Sequence, residues 1–204
     1  MVSSRNDHWD RVYSGKGHQS VSWFQESPDL SLAMIRRAAS PPASVIDVGG
    51  GASHLADRLL DAGYRVGVLD ISEEPLRIVQ ARLGARQAEV EWIATDVCTF
   101  RSAKAWDVWH DRAVFHFLVT TQDRAAYIEA VSAATRQGSA IVIATFGPQG
   151  PDRCSGLPIA RYSPEQLAEE FGSSYELEEA QWENHQTPSG ATQQFVYCRF
   201  RRTG

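Results

Sequence analysis

Residues 45–70 read VIDVGGGASHLADRLLDAGYRVGVLD, and the fold class follows from this stretch. An apolar run ends in an acid and three glycines, and a second apolar run ends in another acid. Between them, Leu55, Leu59 and Leu60 share one face of a helix predicted over 53–62. A strand, a glycine turn, a helix and a second strand in this order predict a parallel βαβ unit.

Strand and helix patterns alternate through most of the chain. The predicted strands cover Ser44–Val48, 65–69, Val90–Ala94, 106–110, 139–146, 175–182 and 193–199. The predicted helices cover 53–62, a segment that Ser72 caps, 124–136 and 163–171. Alternating strands and helices predict an α/β fold whose parallel sheet is covered on both faces. The last two strands have no helix between them, so we expect them to pair as an antiparallel hairpin.

Length and composition fit one domain over 1–204. The sequence has no apolar run of about 18 residues and no apolar secretory region at its start, so we expect neither a membrane span nor export. Three widely spaced cysteines favour reduced thiols and a cytoplasmic location. The six histidines lack a metal-ligand spacing, and the formal net charge of -5 argues against an extended nucleic-acid interface.

The glycine turn does not match the common phosphate-binding motifs. Gly49 and Gly51 supply the first two positions of a dinucleotide fingerprint, but His54 stands at the third. No lysine follows the turn, so a P-loop is excluded. The missing glycine, and the lack of chain for a separate substrate domain, also weaken an oxidoreductase interpretation.

Acids follow three neighbouring strands of the predicted sheet: Asp47, Asp70 and Asp96. A carboxylate at Asp70 can accept hydrogen bonds from a ribose diol, and Asp96 lies where an adenine edge would be expected. Three acids suit a pyrophosphate poorly. They suit a nucleoside whose other end carries positive charge.

Over nearly its whole length the chain resembles the class I S-adenosylmethionine (SAM)-dependent methyltransferases. Asp47-Val48-Gly49-Gly50-Gly51 is similar to the family's D-x-G-x-G motif, and the pairs Asp70-Ile71 and Asp96-Val97 are similar to its ribose and adenine motifs. The resemblance implies a Rossmann-like sandwich with a mainly parallel seven-stranded sheet, SAM as the cofactor and methyl transfer as the activity. It implies cofactor contacts at Asp47, Gly49, Gly50, Gly51, Ser53, Asp70, Ile71, Asp96, Val97, Asp111 and Trp23.

Two subgroups share further segments with the chain. The stretch WDVWHDRA at 106–113 resembles D-x-x-W-D-R-G of thiopurine methyltransferases, although His110 replaces the tryptophan. HWDRVY, SWF and GGGASHLADRLLDAGY resemble lysine methyltransferases that act on citrate synthase and a translation elongation factor. We favour a small-molecule acceptor over a protein lysine, because two predicted covers, the N-terminal lid segment 1–24 and the loop 147–162, would enclose the substrate.

Candidate catalytic residues follow the fourth strand, at the edge where ligands bind in parallel sheets. Asp111, His110 and His116 are candidate proton acceptors, although a thiolate acceptor would need none. Asp111 could instead pair with Arg112 and brace the loop, and His116 could be a packing histidine. The candidate substrate-binding residues are Tyr13, Arg112, Cys154 and Arg161. The alternative from another class is a non-catalytic SAM-binding module that acts through a partner.

Overall fold

The computed structural model of the chain describes residues 5–15 and 21–204. Its helices are α1 (Arg5–Gly15), α2 (Asp29–Ala38), α3 (Leu55–Asp61), α4 (Glu73–Leu83), α5 (Thr121–Ala134) and α6 (Pro164–Phe171). Its strands are β1 (Ser44–Val48), β2 (Arg65–Asp70), β3 (Val90–Ala94), β4 (Trp106–Arg112), β5 (Thr135–Phe146), β6 (Arg153–Cys154), β7 (Leu157–Pro158), β8 (Tyr175–Gln186) and β9 (Thr192–Arg202).

Seven of these strands form one sheet in the order β3-β2-β1-β4-β5-β9-β8. Strands β1 to β5 pair in parallel, while β9 runs antiparallel to both β5 and β8. The predicted fold, a mainly parallel sheet that closes with an antiparallel hairpin, is confirmed. From the centre of the sheet, β1, β2 and β3 follow one another toward one edge, while β4 and β5 lie toward the other edge. In open α/β sheets, this switch point opens a crevice beyond the carboxyl ends of the strands.

Helices cover both faces of the sheet. On one face, Val45 and Val108 pack in a core with the apolar side chains of α2, α3 and α4. On the other face, Ile46 and Trp109 pack with α5 and α6. Every residue of β1 is buried, as expected for a central strand whose two faces are both covered.

Local capping signals set several helix boundaries. The Ser72 hydroxyl accepts the N–H of Glu74, which confirms the predicted cap of α4. Ser163 forms a capping box at the start of α6. Helix α5 begins before its predicted start at 124, because the Thr120 hydroxyl accepts the N–H of Asp123.

The structure adds elements that the sequence patterns did not predict. Helix α2 precedes β1, and α1 lies in the N-terminal segment that was expected only as an aromatic cover. The short hairpin β6–β7 lies inside the loop 147–162. Strands β4, β8 and β9 also continue beyond their predicted ends. Within the described ranges, the longest helices are too short or too polar to cross a membrane.

Candidate functional site

A cleft opens at the carboxyl ends of β1, β2 and β4, where the switch point lies. Its walls come from both sequence-predicted motifs and the N-terminal segment. A second cavity continues past the glycine turn toward α2. Both are lined by Tyr13, Trp23, Gly49 and Arg112.

In the glycine turn after β1, neighbouring side chains pack directly against the backbone. Gly49 and Gly51 have positive φ angles of 63° and 51°, which favour glycine. A Cβ on Gly50 would lie 2.7 Å from Val68 Cγ1 and 2.8 Å from Asp47 Oδ2. The turn therefore has no room for side chains at these positions, and its backbone forms part of the cleft floor.

Asp70, at the end of β2, is buried beside this turn. Its Oδ2 accepts the N–H of Gly51 at 3.0 Å, and its Oδ1 accepts the N–H of Ser72 at 2.9 Å. Burial, followed by the nearby carboxylate of Asp47, raises the pKa of Asp70 to about 7, while the backbone donors oppose the shift. Because a carboxylate oxygen has more than one lone pair, each can still accept a bond from a ligand hydroxyl.

Asp96 lies at the next strand end, beyond β3. Its Oδ1 accepts the N–H of Cys98 at 2.9 Å, and its Oδ2 lies 3.5 Å from Nη1 of Arg5. Arg5 also pairs with Asp123 at 2.5 Å. Ile71 and Val97, which the resemblance assigned to the adenine end, line the same part of the cleft. This end therefore combines apolar walls with one carboxylate.

Helix α1 lies across the mouth of the cleft. The Trp9 ring meets the Trp23 ring at 5.7 Å and the Phe117 ring at 5.0 Å between centroids. The hydroxyl of Tyr13 would be only 2.6 Å from a Cβ on Gly51, so this side chain reaches the glycine turn. The predicted cover over 1–24 thus includes a helix over the cleft, while 1–4 and 16–20 lie outside the described residues.

Two of the candidate bases are held behind the cleft wall. Asp111 is fully buried and accepts the N–H groups of Val114 and Phe115 and the hydroxyl of Tyr127, at 2.8, 3.1 and 2.6 Å. Burial raises its pKa to about 6. These bonds shape the loop after β4, so the geometry places Asp111 as a brace for the wall.

His116 is also fully buried. Its Nδ1 accepts the N–H of Phe146 at 3.4 Å, and its ring packs on the Phe146 ring at 4.7 Å. Burial lowers the pKa of His116 to about 3, which keeps the imidazole neutral. The other ring nitrogen, Nε2, is buried without a hydrogen-bond partner among the described residues.

His110 joins residues from three elements in a buried chain. Its Nδ1 lies 2.7 Å from Asp47 Oδ1, and its Nε2 lies 2.9 Å from the hydroxyl of Ser31 on α2. All three side chains are buried and all three border the second cavity. The sequence did not suggest Ser31, because its contact depends on how α2 packs against the sheet.

Arg112 does not pair with Asp111. Its Nε donates to the Tyr197 hydroxyl at 2.8 Å and its Nη1 to the Trp23 carbonyl at 2.9 Å, while Nη2 lies 3.5 Å from Glu183 Oε2. The guanidinium also lies over the Phe195 ring, at 4.3 Å from its centroid. Arg112 therefore ties the N-terminal segment to the β8–β9 hairpin and places a positive charge in the cleft wall.

The remaining predicted substrate contacts differ in position. Cys154 is buried in β6, and burial raises the pKa of its thiol to about 11. Arg161 donates to the Gly150 carbonyl at 3.2 Å and lines a separate groove beside α6. The structure therefore does not bring Arg161 to the cleft. Among the described residues, no cluster of His, Cys, Asp and Glu is arranged to hold a metal ion.

The comparisons with known proteins agree with this geometry. Residues 45–138 match the family described as "Methyltransferase domain". Together with the sheet order, this match shows that the chain has the Rossmann-like fold of the class I SAM-dependent methyltransferases. The matched range runs from β1 to the start of β5 and includes the glycine turn, Asp70 and Asp96.

Curated proteins that the chain is similar to in sequence are methyltransferases. A Danio rerio "eEF1A lysine and N-terminal methyltransferase" is 25% identical over 124 residues, which are 60% of this chain and 18% of that protein. The chain thus spans less than a fifth of the length of this relative.

Among solved structures, one from a study of the conversion of a disulfide bond into a thioacetal group during echinomycin biosynthesis superposes with a TM-score of 0.79. It is 20% identical, over 97% of this chain and 93% of that one. The Burkholderia thailandensis 1,6-didemethyltoxoflavin-N1-methyltransferase, bound to its acceptor and S-adenosylhomocysteine, has a TM-score of 0.75 at 19% identity. That match covers 97% and 86% of the two chains. At these identities, the similarity of the chain to both structures shows that they share a fold.

Proposed function

We propose that this chain binds SAM and transfers its methyl group to a nitrogen, sulfur or oxygen atom of a small molecule. The proposal rests on the position of Asp70, whose carboxylate accepts a hydrogen bond from the glycine turn. A buried carboxylate that binds the turn and still borders the cleft suits a ribose diol at the carboxyl edge of the sheet.

The residues present in the cleft fit SAM along its length. Ile71 and Val97 offer apolar surface to an adenine ring, and Asp96 offers an acceptor for its amino group. A Cβ on any of the three glycines would collide with neighbouring side chains, so the backbone of the turn is left bare and a ligand can approach it closely. Asp47 borders the second cavity, where its negative charge suits an ammonium group.

When bound, SAM supplies a methyl group that its sulfonium makes electrophilic. The chain contributes alignment of donor and acceptor and the exclusion of water by α1 and the aromatic rings. Alignment of this kind is worth about 7–11 kcal/mol in favourable cases. Such a mechanism asks for a rigid chamber more than for reactive side chains.

The acceptor chamber favours a flat substrate without a positive charge. We assign the acceptor to the part of the cleft that is lined by the rings of Trp9, Tyr13, Trp23 and Phe117 together with the guanidinium of Arg112. The aromatic rings suit stacking or edge contacts with a planar molecule. A lysine ammonium would instead meet the like charge of Arg112, which is only 10% exposed.

The side chains in this part of the cleft also indicate whether the reaction uses a general base. These five residues include no carboxylate or imidazole, while Asp111 and His116 lie behind the wall. Burial, together with the Asp70 charge, raises the pKa of the Tyr13 hydroxyl, so it holds its proton at neutral pH. We therefore favour an acceptor that reaches the site already ionised, such as a thiolate, or that carries a free lone pair.

A protein lysine is the second candidate, because the Danio rerio relative is described as a lysine and N-terminal methyltransferase. The two are separated by incubating the chain with labelled SAM and either dialysed lysate protein or the small-molecule filtrate of the same lysate. We expect label in the filtrate. Label in a discrete protein band alone would contradict the small-molecule acceptor.

Matched variants separate enzymatic transfer from background labelling. At limiting SAM, Asp70→Ala should strongly reduce transfer, while Asp61→Ala, at an exposed carboxylate on α3, should retain it. If the chain binds SAM but labels neither fraction, the non-catalytic binding module becomes the better account.

A further inference from the structure

The buried chain Ser31–His110–Asp47 stands beside the cofactor cleft, and the sequence motifs do not explain it. Burial of three polar side chains is costly unless their hydrogen bonds are satisfied. Here the bonds are short, at 2.7 Å from His110 to Asp47 and 2.9 Å from His110 to Ser31. They connect β1, β4 and α2, so three separate elements must meet to form them.

The register between β1 and β4 brings Asp47 next to His110. Asp47 on β1 pairs with His110 on the neighbouring β4, so both side chains point to the face that α2 covers. Ser31 is one of the buried residues of α2 and completes the chain from above the sheet. Side chains on this face cannot turn to solvent, so their orientation is fixed by one another.

Hydrogen-bond chemistry assigns the tautomer. A carboxylate at Asp47 can only accept, so His110 donates from Nδ1; in the tautomer that carries its proton on Nδ1, the Nε2 atom accepts the hydroxyl proton of Ser31. The same order occurs in nucleophilic triads, but Ser31 is only 1% exposed, which leaves no approach for a substrate carbon.

The bond to His110 occupies one oxygen of Asp47 and leaves the other at the glycine turn. Oδ1 receives the imidazole, while Oδ2 lies where a Cβ on Gly50 would come within 2.8 Å. The second cavity is bordered by all three chain members and by Gly50, and it extends away from the nucleoside end marked by Asp96. A cofactor with its adenosine at Asp96 and Asp70 would direct its amino-acid part here.

We propose that Ser31 and His110 are positioning residues that hold the carboxylate of Asp47 turned toward the ammonium group of SAM. They set the affinity for the amino-acid part of the cofactor and leave the affinity for its nucleoside part unchanged. This inference rests on the proposed function, because it requires SAM to bind in the cleft.

Three ligands test the proposal by calorimetry, with no need for turnover. S-adenosylhomocysteine carries both the ammonium and the carboxylate, decarboxylated SAM keeps the amine and the sulfonium but lacks the carboxylate, and 5′-methylthioadenosine lacks both the amine and the carboxylate, so each variant is compared with the wild type for the same ligand. For His110→Phe we expect a roughly tenfold or larger loss of affinity for the first two ligands, the size associated with a charge-assisted bond. Affinity for 5′-methylthioadenosine should change less than about twofold.

Conservative variants separate positioning from folding. His110→Asn keeps a donor near the position of Nδ1, so it should recover most of the affinity that His110→Phe loses. Ser31→Ala should show a smaller loss of the same selectivity, and Ser173→Ala, which removes an exposed hydroxyl after α6, should match the wild type. If His110→Phe does not fold, Ser31→Ala and His110→Asn carry the test.

The possible outcomes are distinct. Equal losses for all three ligands would show a structural role and overturn the proposal, and so would unchanged affinity for all three. A loss for S-adenosylhomocysteine but not for decarboxylated SAM would show that Ser31, His110 and Asp47 act on the carboxylate of the ligand. That result would also contradict the proposal. Wild-type protein that binds none of the ligands would instead refute the proposed function itself.

Discussion

The carboxylate of Asp70 accepts the backbone N–H of Gly51 at 3.0 Å, which joins the end of β2 to the glycine turn after β1. A second bond, from the N–H of Ser72, fixes the other oxygen at the start of α4. The carboxylate is therefore oriented before any ligand arrives. Preorganised acceptors of this kind do not have to be reoriented when a diol binds.

Replacing Asp70 with alanine should weaken S-adenosylhomocysteine binding. The ribose hydroxyls lose a charged acceptor, and a dominant charge-assisted bond is worth about 1.5–3 kcal/mol. Calorimetric titration of the folded variant measures the change, and Asp61→Ala serves as the exposed control. An unchanged dissociation constant in Asp70→Ala would remove Asp70 from the ribose site.

Cofactor affinity should depend on pH through Asp70. Burial raises its pKa to about 7, with the Asp47 carboxylate adding to the shift. Because the diol binds the ionised form, affinity for S-adenosylhomocysteine should rise between about pH 6 and about pH 8 and then level off. Asp70→Asn should flatten this rise, whereas an equally steep rise in Asp70→Asn would assign it to another group.

The same shift has an opposite sign for folding stability. A carboxyl group whose pKa is higher in the folded protein contributes stability below its unfolded pKa, and that contribution is lost as pH rises through about 7. Ligand binding and unliganded stability should therefore respond to pH in opposite directions over this window. Urea unfolding of the wild type and of Asp70→Asn at several pH values measures the second effect.

Helix α1 is expected to act as a lid that orders when the cofactor binds. Its contacts with the cleft include the aromatic pair Trp9–Trp23 and the ion pair Arg5–Asp96, which is partly exposed. A ligand beneath the helix would add contacts to Tyr13 and reduce opening. Amide hydrogen exchange over Arg5–Gly15 should slow when S-adenosylhomocysteine is added; equal protection in both states would argue for a fixed wall.

Arg112 should contribute strongly to stability, because its guanidinium is mostly buried among specific partners. Arg112→Met removes the guanidinium that pairs with the Glu183 carboxylate and donates to the Trp23 carbonyl, so we expect a loss of about 2–4 kcal/mol in the free energy of unfolding. Arg77→Met, at an exposed pair on α4, should cost roughly 0–1 kcal/mol. Similar small losses at both positions in urea unfolding would show that the Arg112 network is weak.

The fold was predictable where local signals are strong. The bounds of β1 and β3 and the caps at Ser72 and Ser163 follow from apolar runs and side-chain chemistry within a few residues. Helix α1 left a weaker signal, since Trp9 and Tyr13 stand four residues apart and so share a helical face.

The site was predictable only in part. The glycine turn and Asp70 belong to local motifs, and the structure places both in the cleft. The contact of Ser31 with His110 spans 79 positions and that of Arg112 with Glu183 spans 71, so neither leaves a pattern in one sequence. Burial of Asp111 behind the wall likewise depends on the packing of α5, through the hydroxyl of Tyr127.

Calorimetric titration of the wild-type chain with S-adenosylhomocysteine, and separately with NAD, tests the central claim most directly. We expect saturable binding of S-adenosylhomocysteine, because the glycine turn, Asp70 and Asp96 fit a nucleoside with a charged amino-acid part, whereas the carboxylates would repel a pyrophosphate. We expect no binding of NAD. Saturable binding of NAD with none of S-adenosylhomocysteine would contradict the assignment of this cleft to SAM.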